Sequence, residues 1–385
     1  MLPAPSPDAL AHSQRVATHL RAMIDEAGGW IPFSRYMEAA LYAPGLGYYA
    51  AGAMKFGAAG DFVTAPELTP LFGRTLAHAI APVLSPDGDK AGGEVLELGA
   101  GSGRLAVDVL GELERLDSLP TRYCILEVSA DLRTRQQETL ARERPHLAAR
   151  VQWLDALPDH FSGVILGNEV FDALPVELVH WTEAGPLVRG VMLAGDAFTW
   201  QDRPIADPVL RARADALNLA PGYLTEINLA ADALIASLGN MLERGLILLI
   251  DYGFSASEYY HPQRHMGTLR AHYRHHALDD PFYLPGLCDL TAHVDFSALA
   301  QAGIAAGLEL AGYTSQANFL LNAGLTELLM QTPPTDAAAY LPQANAVQRL
   351  VSPAEMGELF KVIGLSKGGV APLAGFARGD RRHNL

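Results

Sequence analysis

The chain has 385 residues, 49% of them apolar, and a formal net charge of −15. That length fits two or three domains, or one large domain with insertions, around a sizeable core. The negative balance argues against binding to a nucleic-acid backbone, and no apolar run approaches the roughly 20 residues of a bilayer span. In chain order, residues 8–27 read as a helix and PFSRYMEAALY (Pro32–Tyr42) as a second. A proline- and glycine-rich stretch then runs to Leu68, and PLFGRTLAHAIAPVL reads as a helix leading to the core. From Glu94 the pattern alternates. EVLEL, RYCILEV (Arg122–Val128), RVQWL (Arg150–Leu154) and GVILGNE (Gly163–Glu169) read as strands, with helices at Arg104–Leu116 and Ala130–Arg144 between them. Continuous apolar strands alternating with helices predict a parallel sheet covered on both faces. VELVHWTE, PLVRGVML and AFTW read as an antiparallel insertion. Leu229–Glu243 reads as a helix and GLILLIDYG (Gly245–Gly253) as a buried strand. A polar, histidine-bearing insertion comes next at about 254–292, then a helix (Phe296–Ala306), a strand (Leu308–Ser315) and a last helix (Pro353–Ile363).

The first residues have neither the basic and apolar regions of a signal peptide nor the Arg-rich, acid-free character of a transit peptide. Two isolated cysteines, Cys124 and Cys288, make neither a zinc site nor a disulfide framework. A reducing cytoplasm is the default expectation. The negative surface is compatible with a basic partner.

The chemistry concentrates in Glu97-Leu-Gly99-Ala-Gly101-Ser-Gly103. A Rossmann dinucleotide fingerprint is G-x-G-x-x-G, and a P-loop needs Lys-Ser/Thr after its last glycine. Here the spacing is G-x-G-x-G, preceded by an acid and followed by Arg104-Leu105. Glycines let the backbone turn tightly and approach a ligand, but the neighbours choose the ligand. Glu127, at the end of the second strand, can accept both hydroxyls of a ribose. Asp155 follows the third strand, where an acid can accept from an adenine amino group. Three acids at strand ends with no cationic phosphate clamp fit S-adenosylmethionine, which has no phosphate and carries a sulfonium charge. A pyrophosphate-bearing NAD would gain nothing from Glu97.

GNEVFDALPVE places Asn168, Glu169 and Asp172 after the fourth strand, beyond the carboxyl ends where ligands of such sheets bind. Asn168 is expected beside the cofactor. A helical turn would bring Glu169 and Asp172 to one side. Two carboxylates there suit a guanidinium, whose planar fork of donors they match. Drawing the cation's charge to two nitrogens would return lone-pair character to the third, so catalysis would be positioning and electrostatics.

These stretches resemble the MidA-like methyltransferase family. The resemblance is carried by LELGAGSGRLA, ILEVSADLRTRQQETL, GNEVFDALPV, IDYGF, GTLRAHYRH and DPFYLPGLCDLTAHVDF, with upstream GDFVTAPELTPLFG, from about Ile31 onward. It implies a class I α/β methyltransferase fold with a Rossmann-like sheet of seven strands. It maps the nucleotide motif onto Glu97, Gly99, Gly101, Gly103 and Glu127, and an NE-x-x-D motif onto Asn168, Glu169 and Asp172. Eukaryotic members are mitochondrial arginine methyltransferases that assist assembly of respiratory complex I. The resemblance therefore implies a protein acceptor, an arginine of a complex I subunit being one candidate. The start of this chain carries no mitochondrial targeting segment, so a bacterial cytoplasmic relative fits better.

The resulting domain reading is a helical extension or cap at 1–90 and a methyltransferase domain at 91–385, with insertions at about 176–225 and 254–292. Within GDFVTAPE, Phe62 and Thr64 are expected against the cofactor. Five histidines, His261, His265, His272, His275 and His276, raise the question of metal, but their spacing with nearby acids matches no standard site. The insertion reads instead as a lid or channel wall, with Arg270 and His293 as its candidate substrate contacts. A small-molecule methyltransferase, a cofactor-holding assembly factor and an NAD oxidoreductase are the rival readings.

Overall fold

The computed structural model describes residues 2–51, 64–85 and 92–385. It forms two compact units, each assembled from separate stretches. A parallel-sheet unit takes the described residues of Phe56–Phe171, Leu234–Ala256 and Val294–Leu385. An antiparallel unit takes those of Met1–Lys55, Asp172–Ala233 and Ser257–His293. The stretch 1–90 is thus divided: its first two helices belong to the antiparallel unit, and Pro70–Leu84 to the parallel-sheet unit. Among the described residues no helix is long and apolar enough to cross a membrane.

The parallel-sheet unit is built on β1 (Glu94–Leu98), β2 (Tyr123–Leu126), β3 (Val151–Leu154), β4 (Phe161–Asn168), β5 (Leu242–Phe254), β6 (Glu309–Ser315) and β7 (Phe360–Lys367). Their order is β6-β7-β5-β4-β1-β2-β3. The five strands from β5 to β3 pair in parallel. β7 runs antiparallel to both of its neighbours. A two-residue strand, Val294–Asp295, pairs beside Gly253–Phe254 and makes the sheet eight-stranded, one more than the expected seven. The chain steps outward from β1 to β3, then returns to the other side of β1 with β4. That reversal opens a crevice beyond the carboxyl ends of β1 and β4.

Four helices carry or brace the residues of the site: α1 (Ala65–Leu68), α2 (Pro70–Leu84), α3 (Arg104–Arg115) and α4 (Ala130–Glu143). Thr69 caps α2, accepting from Leu71 N–H, and Ser129 caps α4, accepting from Leu132 N–H. Leu76 and Ile80 of α2 and Val109, Leu110 and Leu113 of α3 join Val164 and Leu166 of β4 in one core. Each such side chain contributes about 1.5–3 kcal/mol by leaving water.

In the antiparallel unit, Gly185–Ala194 is flanked by Glu177–Thr182, Trp30–Pro32 and Ala197–Pro204, and Leu224–Ile227 extends the sheet from Glu177–Thr182. A second sheet sets Arg270–Tyr273 between His276–Leu278 and Asp289–Thr291. Helices Pro7–Glu26 and Phe33–Tyr42 bury Leu20, Ile24, Phe33, Tyr36 and Met37 in this unit's core.

One predicted element is wrong. Pro353–Ile363 is not the last helix; only Met356–Leu359 is helical, and β7 starts at Phe360. Met356, Leu359, Phe360 and Ile363 repeat at helical spacing, but Phe360–Leu365 is also a continuous run buried on both faces, which periodicity alone does not separate from a helix. A helix at Ala337–Val351, with Pro342 inside it, went unread.

Candidate functional site

The glycine loop leaves β1 with Gly99, Gly101 and Gly103 at φ 59°, 54° and 83°. Three left-handed residues at alternate positions demand glycine. Ser102 between them donates to the Glu67 carboxylate of α1 and accepts from Arg104 N–H at 3.3 Å. Glu67 ends the GDFVTAPE stretch, in which Phe62 and Thr64 are the residues expected at the cofactor. Thr64 precedes α1 without a side-chain cap bond, and Phe62 lies outside the described residues.

Glu97 is buried, and its carboxylate accepts from Tyr123 OH at 2.7 Å. Burial pushes its pKa up to about 7; the Tyr123 hydrogen bond opposes this and the Glu127 charge adds to it. Glu127, also buried, accepts from Ser129 N–H at 2.9 Å and from Gln136 Nε2 at 2.9 Å. Beside it Val128 is 78% exposed. An apolar side chain held in solvent at a strand's carboxyl end offers a face to a flat ring. Asp155 pairs with Arg133 at 2.8 Å. The same guanidinium donates to Glu127 O and Leu154 O, tying the ends of β2 and β3 together.

At the end of β4, Asn168 Nδ2 donates to Glu169 Oε1 at 3.1 Å. Asn168 Oδ1 is buried and has no hydrogen-bond partner among the described residues. The expected helical turn is absent: residues 169–174 form bends and turns, and Glu169 sits at φ 53°. Such a backbone is costly for a side-chain-bearing residue. It is held by Glu169 N–H on Ile250 O at 2.9 Å, and by Asp251 Oδ2, which accepts from Val170 N–H (3.2 Å) and Phe171 N–H (2.9 Å). Asp251 also accepts from Tyr252 N–H. An acid inside the apolar run LILLIDYG was a legible signal that the sequence reading passed over.

The structure thus brings Glu97, Gly99, Gly101, Gly103, Glu127, Asp155, Asn168 and Glu169 to the carboxyl ends of β1–β4. The unit boundary falls after Phe171, so Asp172, Arg270 and His293 belong to the antiparallel unit. There Asp172 is buried and its backbone carbonyl accepts from Ala292 N–H at 2.9 Å. His293 N–H donates to Thr268 Oγ1, and Arg270 is exposed, 3.4 Å from Asp279. Among the described residues no three His, Cys, Asp or Glu gather as a metal site.

Residues 75–314 match a family described as "Putative S-adenosyl-L-methionine-dependent methyltransferase". The chain belongs to this family. A Burkholderia thailandensis protein crystallised with S-adenosyl-homocysteine is 54% identical, over 100% of both chains, with a TM-score of 0.96. The protein arginine methyltransferase NDUFAF7 of Bos taurus, named as mitochondrial, is 30% identical, over 92% of this chain and 85% of its own. Its Caenorhabditis elegans homolog is 28% identical, over 82% of this chain and 79% of its own. This chain is an S-adenosylmethionine-dependent methyltransferase.

The residues present fit that cofactor. The glycine cradle leaves room for close backbone approach, and Asn168 Oδ1 is a buried acceptor awaiting a donor. The acids at β1 and β2 match a ligand with hydroxyl and ammonium donors and no phosphate. A cation held beside Glu97, whose pKa stands near 7, would draw it to a full carboxylate.

Proposed function

We propose that this methyltransferase methylates a protein, at the guanidinium of an arginine. The observation that carries this reading is the similarity, over 82–94% of the chain, to relatives named as protein arginine methyltransferases. The chemistry of the Asn168–Asp172 segment supports it. In this reading the cofactor supplies an electrophilic methyl group on a cationic sulfur. Glu169, held on its strained turn by Asp251, accepts from the guanidinium and draws its positive charge onto the bonded nitrogens. One terminal nitrogen is left to form the new N–C bond as the C–S bond breaks. The proton it then sheds leaves to Glu169 or to water.

The antiparallel unit has features suited to a cation. Tyr42 and Tyr49 stack at 5.5 Å, and Tyr49 OH donates to Asp289 at 2.8 Å. Burial raises the Tyr49 pKa well above its usual value, with the charges of Asp289 and Asp172 contributing. Negative potential beside aromatic faces favours an arginine side chain. A respiratory complex I subunit is the acceptor class that the family resemblance offers, and a cytoplasmic location is proposed with it.

The test is transfer of labelled methyl from S-adenosylmethionine to proteins of cells lacking this chain, with Gly101→Val as blank, followed by acid hydrolysis. Label in methylarginine on one protein is the expected result. Label in a small molecule overturns the protein acceptor. Cofactor binding with no label in any fraction would turn the reading toward an assembly role.

A further inference from the structure

Helix α4 turns a stripe of Leu132, Gln136 and Leu140 inward, at i, i+4 and i+8. The middle residue is polar and 0% exposed. A glutamine in such a place must satisfy its amide or destabilise the fold by about 1–3 kcal/mol. Gln136 does so on three separate segments. Nε2 donates to Gly101 O in the glycine loop at 3.0 Å and to Glu127 Oε2 after β2 at 2.9 Å. Oε1 accepts from Trp153 Nε1 on β3 at 2.9 Å. The indole can only donate, and the carbonyl and carboxylate only accept, so the amide has one workable orientation. Gly103 makes the approach possible: a Cβ there would lie 3.1 Å from Gln136 Cα. That glycine therefore serves the helix as well as the turn.

We propose that Gln136 is a positioning residue that orients the Glu127 carboxylate for the ribose hydroxyls of the cofactor and locks it to the glycine loop. Ser129 N–H holds Oε1 of that carboxylate and Gln136 holds Oε2, so its plane is set before any ligand arrives. Preorganised acceptors avoid an ordering cost on binding. Glutamate would set a second carboxylate against Glu127, and methionine would keep the shape but lose every hydrogen bond. The proposal rests on the reading of Glu127 as the ribose acceptor, and the experiment separates the two.

The experiment is calorimetric titration of the full chain with S-adenosylhomocysteine and with its 2′-deoxy and 3′-deoxy ribose analogues. The wild type is expected to bind the analogues about 10- to 100-fold more weakly, the effect of losing a hydrogen bond to a charged group. Gln136→Met is expected to bind S-adenosylhomocysteine about 10-fold more weakly and to lose most of its discrimination against the analogues. A merely structural glutamine would weaken all three ligands by one factor and keep the discrimination; that outcome overturns the proposal. Glu127→Ala reports on the underlying reading: if it discriminates as the wild type does, Glu127 is not the ribose acceptor, whatever Gln136 does. Trp153→Phe removes only the donor to Oε1 and guards against a Gln136→Met that fails to fold. It is expected to lower the discrimination by about two- to threefold, half or less of what one neutral hydrogen bond is worth, and unchanged discrimination there counts against the proposal.

Discussion

In the parallel-sheet unit, the polar groups of the site gather at one edge, where β1 to β4 end, and the strands behind them are apolar. Glu97, Glu127 and Asp251 are buried, yet each lies within about three residues of a strand's carboxyl end. The antiparallel unit distributes its polar groups through its interior. Glu226 accepts from the N–H groups of Thr268 and Leu269 at 2.8 Å and from Tyr259 OH at 3.1 Å. Asp289 holds Tyr49. A parallel sheet gives every strand the same polarity, so one edge collects all the loops that can touch a ligand. Antiparallel hairpins send their ends both ways and place functional groups by side-chain packing instead. Cofactor binding is therefore expected to respond to backbone and acids at that one edge, and the antiparallel unit to act on transfer, if at all, through side chains such as Tyr49 and not through cofactor affinity.

Variants can break or sharpen that division. Glu169→Gln keeps the turn but removes the charge; transfer is expected to fall about 10²–10³-fold with S-adenosylhomocysteine affinity nearly unchanged, read by single-turnover kinetics beside calorimetry. Full turnover in this variant would falsify the guanidinium mechanism. Gly101→Val forces a β-branched residue to φ near 54° and should weaken cofactor binding about 100-fold; binding within threefold of wild type would show that the loop does not touch the ligand. Tyr49→Phe, in the other unit, should leave cofactor affinity alone and lower transfer about 5- to 10-fold, the worth of one hydrogen bond to Asp289. A changed cofactor affinity there would dissolve the division.

A separate reading, on stability and not on transfer, comes from pH. Glu97 keeps its proton to about 7 in the folded chain but releases it near 4.3 when unfolded. Stability should therefore decline as pH rises between those values, by about 4 kcal/mol in all, and the decline should vanish in Glu97→Gln. Glu112 runs the other way. Arg115, Arg74 and His78 donate to it and, against the burial that raises it, hold its pKa down at about 2. Its contribution is fully present above the unfolded carboxylate range and is lost as pH falls through about 2. Urea unfolding across pH 2–8 separates the two slopes.

The glycine turn and the acids at the carboxyl ends of β1, β2 and β4 were legible because strand polarity forces ligand contacts into short, ordered segments. The strands β1, β2, β4 and β5 were legible because buried parallel strands are largely continuous apolar runs, whereas β3, with Gln152 exposed at the sheet's edge, showed only as a short one. What escaped was set by partners distant in sequence. Asp251 serves a turn 80 residues earlier, and Gln136 serves a loop 35 residues earlier. Only their polarity inside apolar patterns marked them. The helical turn expected at Glu169 and Asp172 failed because Glu169 takes φ 53°, outside the right-handed helical region, a conformation held by the bonds from residues 169–171 to Ile250 and Asp251. β7 escaped because a two-face-buried strand and a buried helix share one hydrophobic signature.

β7 carries a further consequence, for synthesis. It lies between β5 and β6, and among the described residues β6 joins the sheet only through it. On the ribosome β5 and β6 emerge first, and each must wait with an open hydrogen-bonding edge until residues 360–367 arrive. An open apolar edge is where nascent chains pair wrongly with one another. The last strand of this sheet to be made is thus the wedge that closes it, and slow elongation just before it would lengthen the interval in which the chain is most exposed to aggregation.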